Sequence, residues 1–145
     1  MNAKVTLEQQ QDFRFRIRFG EGIAPLDADE APPLGKGAGP TPDQLLAAAV
    51  GNCLSDSLLF ALRKFKQAPE PIRTEVEATQ GRNAANRLRI QRIAVRITLG
   101  VPAASLQHLE RALAQFEQFC TVGESVRQGI PVDVEVYDST GARLK

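Results

Sequence analysis

At 145 residues, with 43% hydrophobic and 24% charged content, the chain fits one domain with a genuine core and is too apolar to be disordered. Its 18 basic and 17 acidic residues leave a net charge near +1, with no field to draw in nucleic acid or an anionic membrane. Two cysteines and one histidine are too little material for a protein-only tetrahedral metal site, so no metal is expected.

The N-terminal MNAKVTLEQQ has no apolar signal core, which makes the cytoplasm the expected address. Val5 and Leu7 alternate with polar residues, and after a turn near Gln11 and Asp12 the run FRFRIRF sets Phe13, Phe15, Ile17 and Phe19 against Arg14, Arg16 and Arg18. This period-two pattern predicts an opening meander with one apolar and one cationic face. The cationic face is either solvated or a source of positive charge for a site. Residues 20–40 read as a loop, with a short third strand over Ile23 to Leu26. The glycine-rich LGKGAGP lacks the GK[ST] of a phosphate loop and reads as a flexible lead-in to a helix.

The stretch TPDQLLAAAVGNCLSDSLLFALRKFK, Thr41 to Lys66, predicts a long helix: Thr41 as N-cap, Pro42 at the first helical position, and Gln44 placed to close a capping box. It is apolar on almost every side, so it should be surrounded by protein. Asn52, Ser55, Asp56 and Ser57 within it argue against a membrane span. The proline-rich segment Ala68 to Pro71 ends it. Ile72 to Thr79 reads as a strand and GRNAAN as a turn. Leu88 and Ile90 then share one phase of alternation while Ile93, Val95, Ile97 and Leu99 share the other, a slip at Gln91 and Arg92 that predicts a β-bulge. Ser105 is placed to cap a second helix, whose stripe of Leu106, Leu109, Leu113 and Phe116 runs to Phe119 or Cys120; His108 lies off that stripe and reads as solvated. Gly129 and Pro131 break the next segment, and Val132, Val134 and Val136 make a last strand. The order is β-β-(β)-α-β-β-α-β, an α+β chain of a single domain over 1–145. A chain this short cannot cover an all-round apolar helix alone, which predicts a homodimer.

Cys53 and Cys120 are either a peroxidatic and resolving pair brought together by packing, or two core thiols, since free cysteine is among the most buried residue types. A functional Cys53 must be ionised, and it lies too far from the helix start for the dipole to act. With no suitable histidine, the cation is expected from an arginine of the FRFRIRF strand, held by Asp43 in the first helical turn. The same lack of a base weighs against a cysteine hydrolase or acyltransferase.

GPTPDQLLAAAVGNC with its apolar helix, followed by FCTVGESVRQGIPVDVEV, resembles the OsmC and Ohr family of organic-hydroperoxide-reducing proteins over roughly residues 35–66 and 105–137. The resemblance implies an OsmC-like fold: an intertwined homodimer with two β-sheets wrapped around central helices. It also implies a thiol peroxidase, with Cys53 attacking the hydroperoxide, Cys120 resolving the sulfenic acid as a disulfide, and an arginine with an acidic residue completing the site. No cofactor is bound in such proteins; an external dithiol, lipoyl-linked in the Ohr branch, restores the thiols. Asp43 stands where that branch has Glu, Thr121 stands where it has Pro, and its Gly-Arg turn is absent here, leaving Arg14 as the best positional match and Arg16 as runner-up. The apolar residues point to organic rather than inorganic peroxides, alkyl or lipid. The alternative is a dimeric apolar-ligand-binding or stress-response protein of the same fold with redox-inert thiols.

Overall fold

The computed structural model describes residues 1–130, 132–138, 140 and 142–145. β1 (Thr6–Gln11), β2 (Arg14–Arg18) and β3 (Leu26–Ala28) form an antiparallel sheet in that order, in a register that sets Leu7 against Ile17 and Arg16 against Asp27. The third strand begins where the expected one ends. Gly20 and Gly22 both take positive φ, so the chain is still turning at residue 22, and Ile23 is left exposed.

Residues 29–40 are no flexible lead-in. They wrap around Asp29, only 3% exposed, whose carboxylate accepts the backbone N–H groups of Glu30 at 2.8 Å, Lys36 at 3.1 Å and Ala38 at 3.0 Å. Those bonds, Ala38 foremost, hold the Asp29 carboxyl below its usual range. A Cβ on Gly39 would overlap the Asp27 carbonyl oxygen, so this glycine serves close backbone packing.

Helix α1 (Pro42–Lys64) starts as expected: Gln44 N–H donates to Thr41 Oγ1 at 3.3 Å, and Thr41 N–H donates to Gln44 Oε1 at 2.9 Å. Ala47, Val50, Gly51, Leu54, Leu58 and Leu62 make its buried stripe. That stripe packs mainly against β4 (Arg73–Arg82), β5 (Leu88–Thr98) and the later helices. Within one chain the opposite face, with Ala48, Ala49, Asn52, Asp56 and Phe60, stays open, so the helix is covered on one side rather than all round. Asn52 and Asp56, a polar pair on that face, hydrogen-bond each other at 3.0 Å.

β4 and β5 pair antiparallel along their lengths. Thr79 faces Arg92 and Gln80 faces Ile90, so Gln91 is the extra residue of a bulge where the alternation slips. The expected second helix is broken into pieces. A 3-10 turn at Ala103–Ser105 precedes α2 (Leu109–Gln115), a further 3-10 turn (Phe116–Phe119) comes next, and α3 (Thr121–Gln128) starts after Cys120. Two local conformations cause the break. The Ser105 hydroxyl donates back to the Pro102 carbonyl at 2.7 Å instead of capping, and His108 adopts a left-handed φ of 59°. His108 is exposed, with its ring stacked on Phe65 at 4.8 Å.

The expected last strand does not form in the isolated chain. Val132, Val134 and Val136 are exposed and in no strand. The described residues there pair only locally, through an isolated bridge between Tyr137 and Arg143 and backbone hydrogen bonds such as Leu144 N–H to the Val136 carbonyl at 2.7 Å. Pro131, expected to break the chain before that strand, lies outside the described residues.

Candidate thiol site

Cys53 sits about three turns into α1, half-buried, three residues after Val50 on the helix's inner side. Cys120 is fully buried as the N-cap of α3, and its Sγ accepts the Gly123 N–H at 3.2 Å. The two thiols, far apart in sequence, meet in one apolar cluster. Val50, Leu54 and Cys120 form its buried centre, and Cys53, Ile93, Val95, Phe116 and Val126 pack against it. Both cysteines are free. Burial pushes the Cys120 thiol up, the hydrogen-bonded Cys53 pushes it further, and the Gly123 N–H pulls the other way. Reduced Cys120 is therefore held as a thiol, with Cys53 packed against the same cluster.

Beside this cluster lies an open cavity of about 520 Å³ between α1, β5 and α3. Val50, Leu54, Ile93, Val95 and Val126 supply apolar wall, while Arg92, Glu117 and Arg127 supply charge. The volume suits an alkyl chain or other small organic molecule. Arg127 is already paired with Glu117 and, at 3.5 Å, with Glu124.

Arg14, Arg16 and Asp43 lie elsewhere in the chain. Arg16 makes a two-point contact with Asp27, Nε to Oδ1 at 2.8 Å and Nη2 to Oδ2 at 3.1 Å, which raises Arg16 and lowers Asp27 from their ordinary values. Arg14 Nε lies 4.0 Å from Asp27 Oδ2 and is buried without a hydrogen-bond acceptor among the described residues. Asp43 accepts a hydrogen bond from Gln80 on β4, so it holds neither arginine as expected. The acidic partner of the cationic strand is Asp27, on β3. Sequence reasoning missed Asp27, since its pairing depends on the β2–β3 register, and missed Gly123, whose only signal is its place three residues after a cysteine.

The model of the OsmC-like protein family matches residues 35–135, a span that contains both thiols, the capped helix and the cavity wall. The chain belongs to the OsmC-like family. Solved structures agree on the fold. An OsmC-like protein of unknown function from Vibrio cholerae superposes with a TM-score of 0.71 at 16% identity, covering 86% of this chain and 93% of that one. An organic hydroperoxide resistance protein OsmC from Legionella pneumophila gives 0.65 at 15% identity over 88% and 90%. A putative organic hydroperoxide resistance protein from Vibrio cholerae, with captopril bound in one of its active sites, gives 0.65 at 17% over 86% and 84%. At these identities the likeness establishes the fold alone. The comparison with curated proteins gives no match.

Proposed function

We propose that this OsmC-like protein is a thiol-dependent peroxidase that reduces organic hydroperoxides, alkyl or lipid, to alcohols. The observation that carries the reading is the meeting of Cys53 and Cys120 in one apolar cluster beside a cavity of alkyl-chain size. The half-buried thiol is the one a substrate can reach, and the fully buried one is kept for the second step. Cys53 thiolate attacks the terminal peroxide oxygen, the O–O bond breaks, and the alkoxide takes a proton from water and leaves as the alcohol. Cys120 sulfur then attacks the Cys53 sulfenic sulfur; the S–O bond breaks, and the hydroxide leaves as water with the Cys120 proton. An external dithiol reduces the resulting disulfide by exchange. No bound cofactor is needed, and a cytoplasmic setting fits reduced resting thiols.

The thiolate's cation is Arg14 or Arg16, whose acidic partner within its own chain is Asp27. The main contacts of α1 are with β4, β5 and the later helices, and those of β2 are with β1 and β3. On this reading an arginine of β2 approaches Cys53 from a second copy, and the site belongs to a homodimer. The open face of α1, with Phe60 65% exposed, and the apolar side of β2, with Phe13, Phe15 and Phe19 exposed, supply surface for that association. The test is consumption of cumene hydroperoxide with a dithiol. Cys53→Ser should abolish it, Cys120→Ser should stop turnover after one sulfenic acid, and wild-type rates from Cys53→Ser would refute the reading.

One observation favours a second reading. Arg16 is already satisfied by Asp27, which suits a dimer that binds an apolar small molecule with both thiols inert. Free-sulfhydryl titration after peroxide treatment separates the two, because inert thiols would lose none.

A further inference from the structure

Cys120 is held by a contact that the peroxidase chemistry does not itself require. The Gly123 N–H donates to Sγ at 3.2 Å, and a Cβ built on Gly123 would stand 2.8 Å from that sulfur, 3.7 Å from Cys120 Cβ and 3.8 Å from Leu54 Cδ2. The sulfur thus occupies the space a side chain at residue 123 would take. Cys120 is fully buried, with Val50, Leu54 and Phe116 around it, so a displaced Sγ must move against those neighbours or toward the cavity that Gly123 also borders. Any residue but glycine would push Sγ out of its seat, and loss of the N–H would release it to rotate.

We infer that Gly123 is a positioning residue for disulfide closure, its N–H and its missing Cβ together fixing Cys120 Sγ in one seat within the cluster against which Cys53 packs. This rests on the peroxidase reading and deepens it. Closure requires Cys120 sulfur to approach in line with the S–O bond of the Cys53 sulfenic acid; the S–S bond forms as that bond breaks, Cys53 sulfur is reduced, Cys120 sulfur is oxidised, and water leaves with the Cys120 proton. An approach that depends on one rotamer is lost when the sulfur is moved by a fraction of an ångström or turned away. Gly123 borders the cavity but offers no side chain to it, and its effect on closure is exerted through Cys120.

The experiment compares the wild type with Gly123→Ala, which adds the Cβ, keeps the N–H and favours the helix. Each is mixed with one equivalent of cumene hydroperoxide. Sulfenic acid on Cys53 is trapped with a dimedone probe, and disulfide closure is followed by quenched mass spectrometry. The expected result is a ratio of closure to sulfenic acid formation lower by about ten- to a hundredfold in the variant, with Cys53 sulfinic acid accumulating under excess peroxide. Equal ratios would overturn the inference. A wild type that forms no Cys53–Cys120 disulfide would instead overturn the peroxidase reading, a distinct result. Amide exchange in the reduced wild type gives a check independent of any variant. The Gly123 amide should exchange at least about tenfold more slowly than that of Val122, and equal rates would mean that the N–H does not hold the sulfur.

Discussion

Gly51 lies on the buried stripe of α1, two residues before Cys53, where the helix crosses β4. A Cβ built there would overlap Val76 Cγ2, while Thr74 Cγ2 at 3.6 Å and Val76 Cβ at 3.8 Å remain ordinary contacts. The collision is thus with one methyl of a β-branched side chain, which has little rotamer freedom to yield. Gly51→Ala gains about 1 kcal/mol from helix propensity. Against this stands overpacking of about 2–3 kcal/mol, since helix and strand must separate or Val76 must leave its rotamer. The net expectation is a loss of about 1–2 kcal/mol, the difference of those two effects. Urea unfolding of four proteins tests it: wild type, Gly51→Ala, Val76→Ala and the double variant. Removing the Val76 methyls should free the added Cβ, so Gly51→Ala becomes neutral or stabilising in the Val76→Ala background and the cycle shows a coupling of about 2 kcal/mol. If Gly51→Ala raises the urea midpoint equally in both backgrounds, the close approach is not what requires glycine at this position.

Leu62 is 0% exposed at the end of the α1 stripe, clustered with Leu58 and Ala112, and Leu62→Ala should cost about 2–5 kcal/mol in urea unfolding. Burial raises the Cys120 thiol above its ordinary value of 9.0, so the folded state holds that proton longer than the unfolded chain. The corresponding stability is fully present below pH 9.0 and is lost as pH rises through the folded value; unfolding midpoints above pH 9 should fall more steeply for the wild type than for Cys120→Ala. Asp29 has the opposite sign. Its carboxyl is lowered, so its contribution is present above the ordinary 3.8 and is lost as pH falls through the folded value, and proteolysis of the 30–39 loop should accelerate below that point but not in Asp29→Asn, which should already be susceptible at neutral pH.

Features that depend on a few neighbouring residues were legible in the chain alone. Thr41 and Gln44 announce the start of α1 because both partners of the capping box lie within one turn. The phase slip at Gln91 announces the bulge because side-chain alternation in a strand has a fixed period. The break in the second helix was not legible, since it turns on the left-handed backbone of His108 and on which acceptor the Ser105 hydroxyl takes. Nor was the Arg16–Asp27 contact, because the partners lie on successive strands with a turn between and only the register makes them neighbours. The valines of the last segment alternate well, but alternation describes one strand, and pairing needs another. The two thiols fall between these cases: each could be located, but their meeting is a matter of how α1 and α3 pack.

The bulge at Gln91 shapes the cavity. Ile90 and Ile93 both border it, although three positions separate them and a regular strand would send them to opposite sides. The extra residue resets the phase, so one apolar row continues through the irregularity, and it also sharpens the twist of the ribbon at that point. A chain lacking Gln91 would keep every apolar residue on the same side but would run straighter past α1. The hollow beside the thiols is in this sense a product of strand curvature, set by counting residues rather than by choosing them.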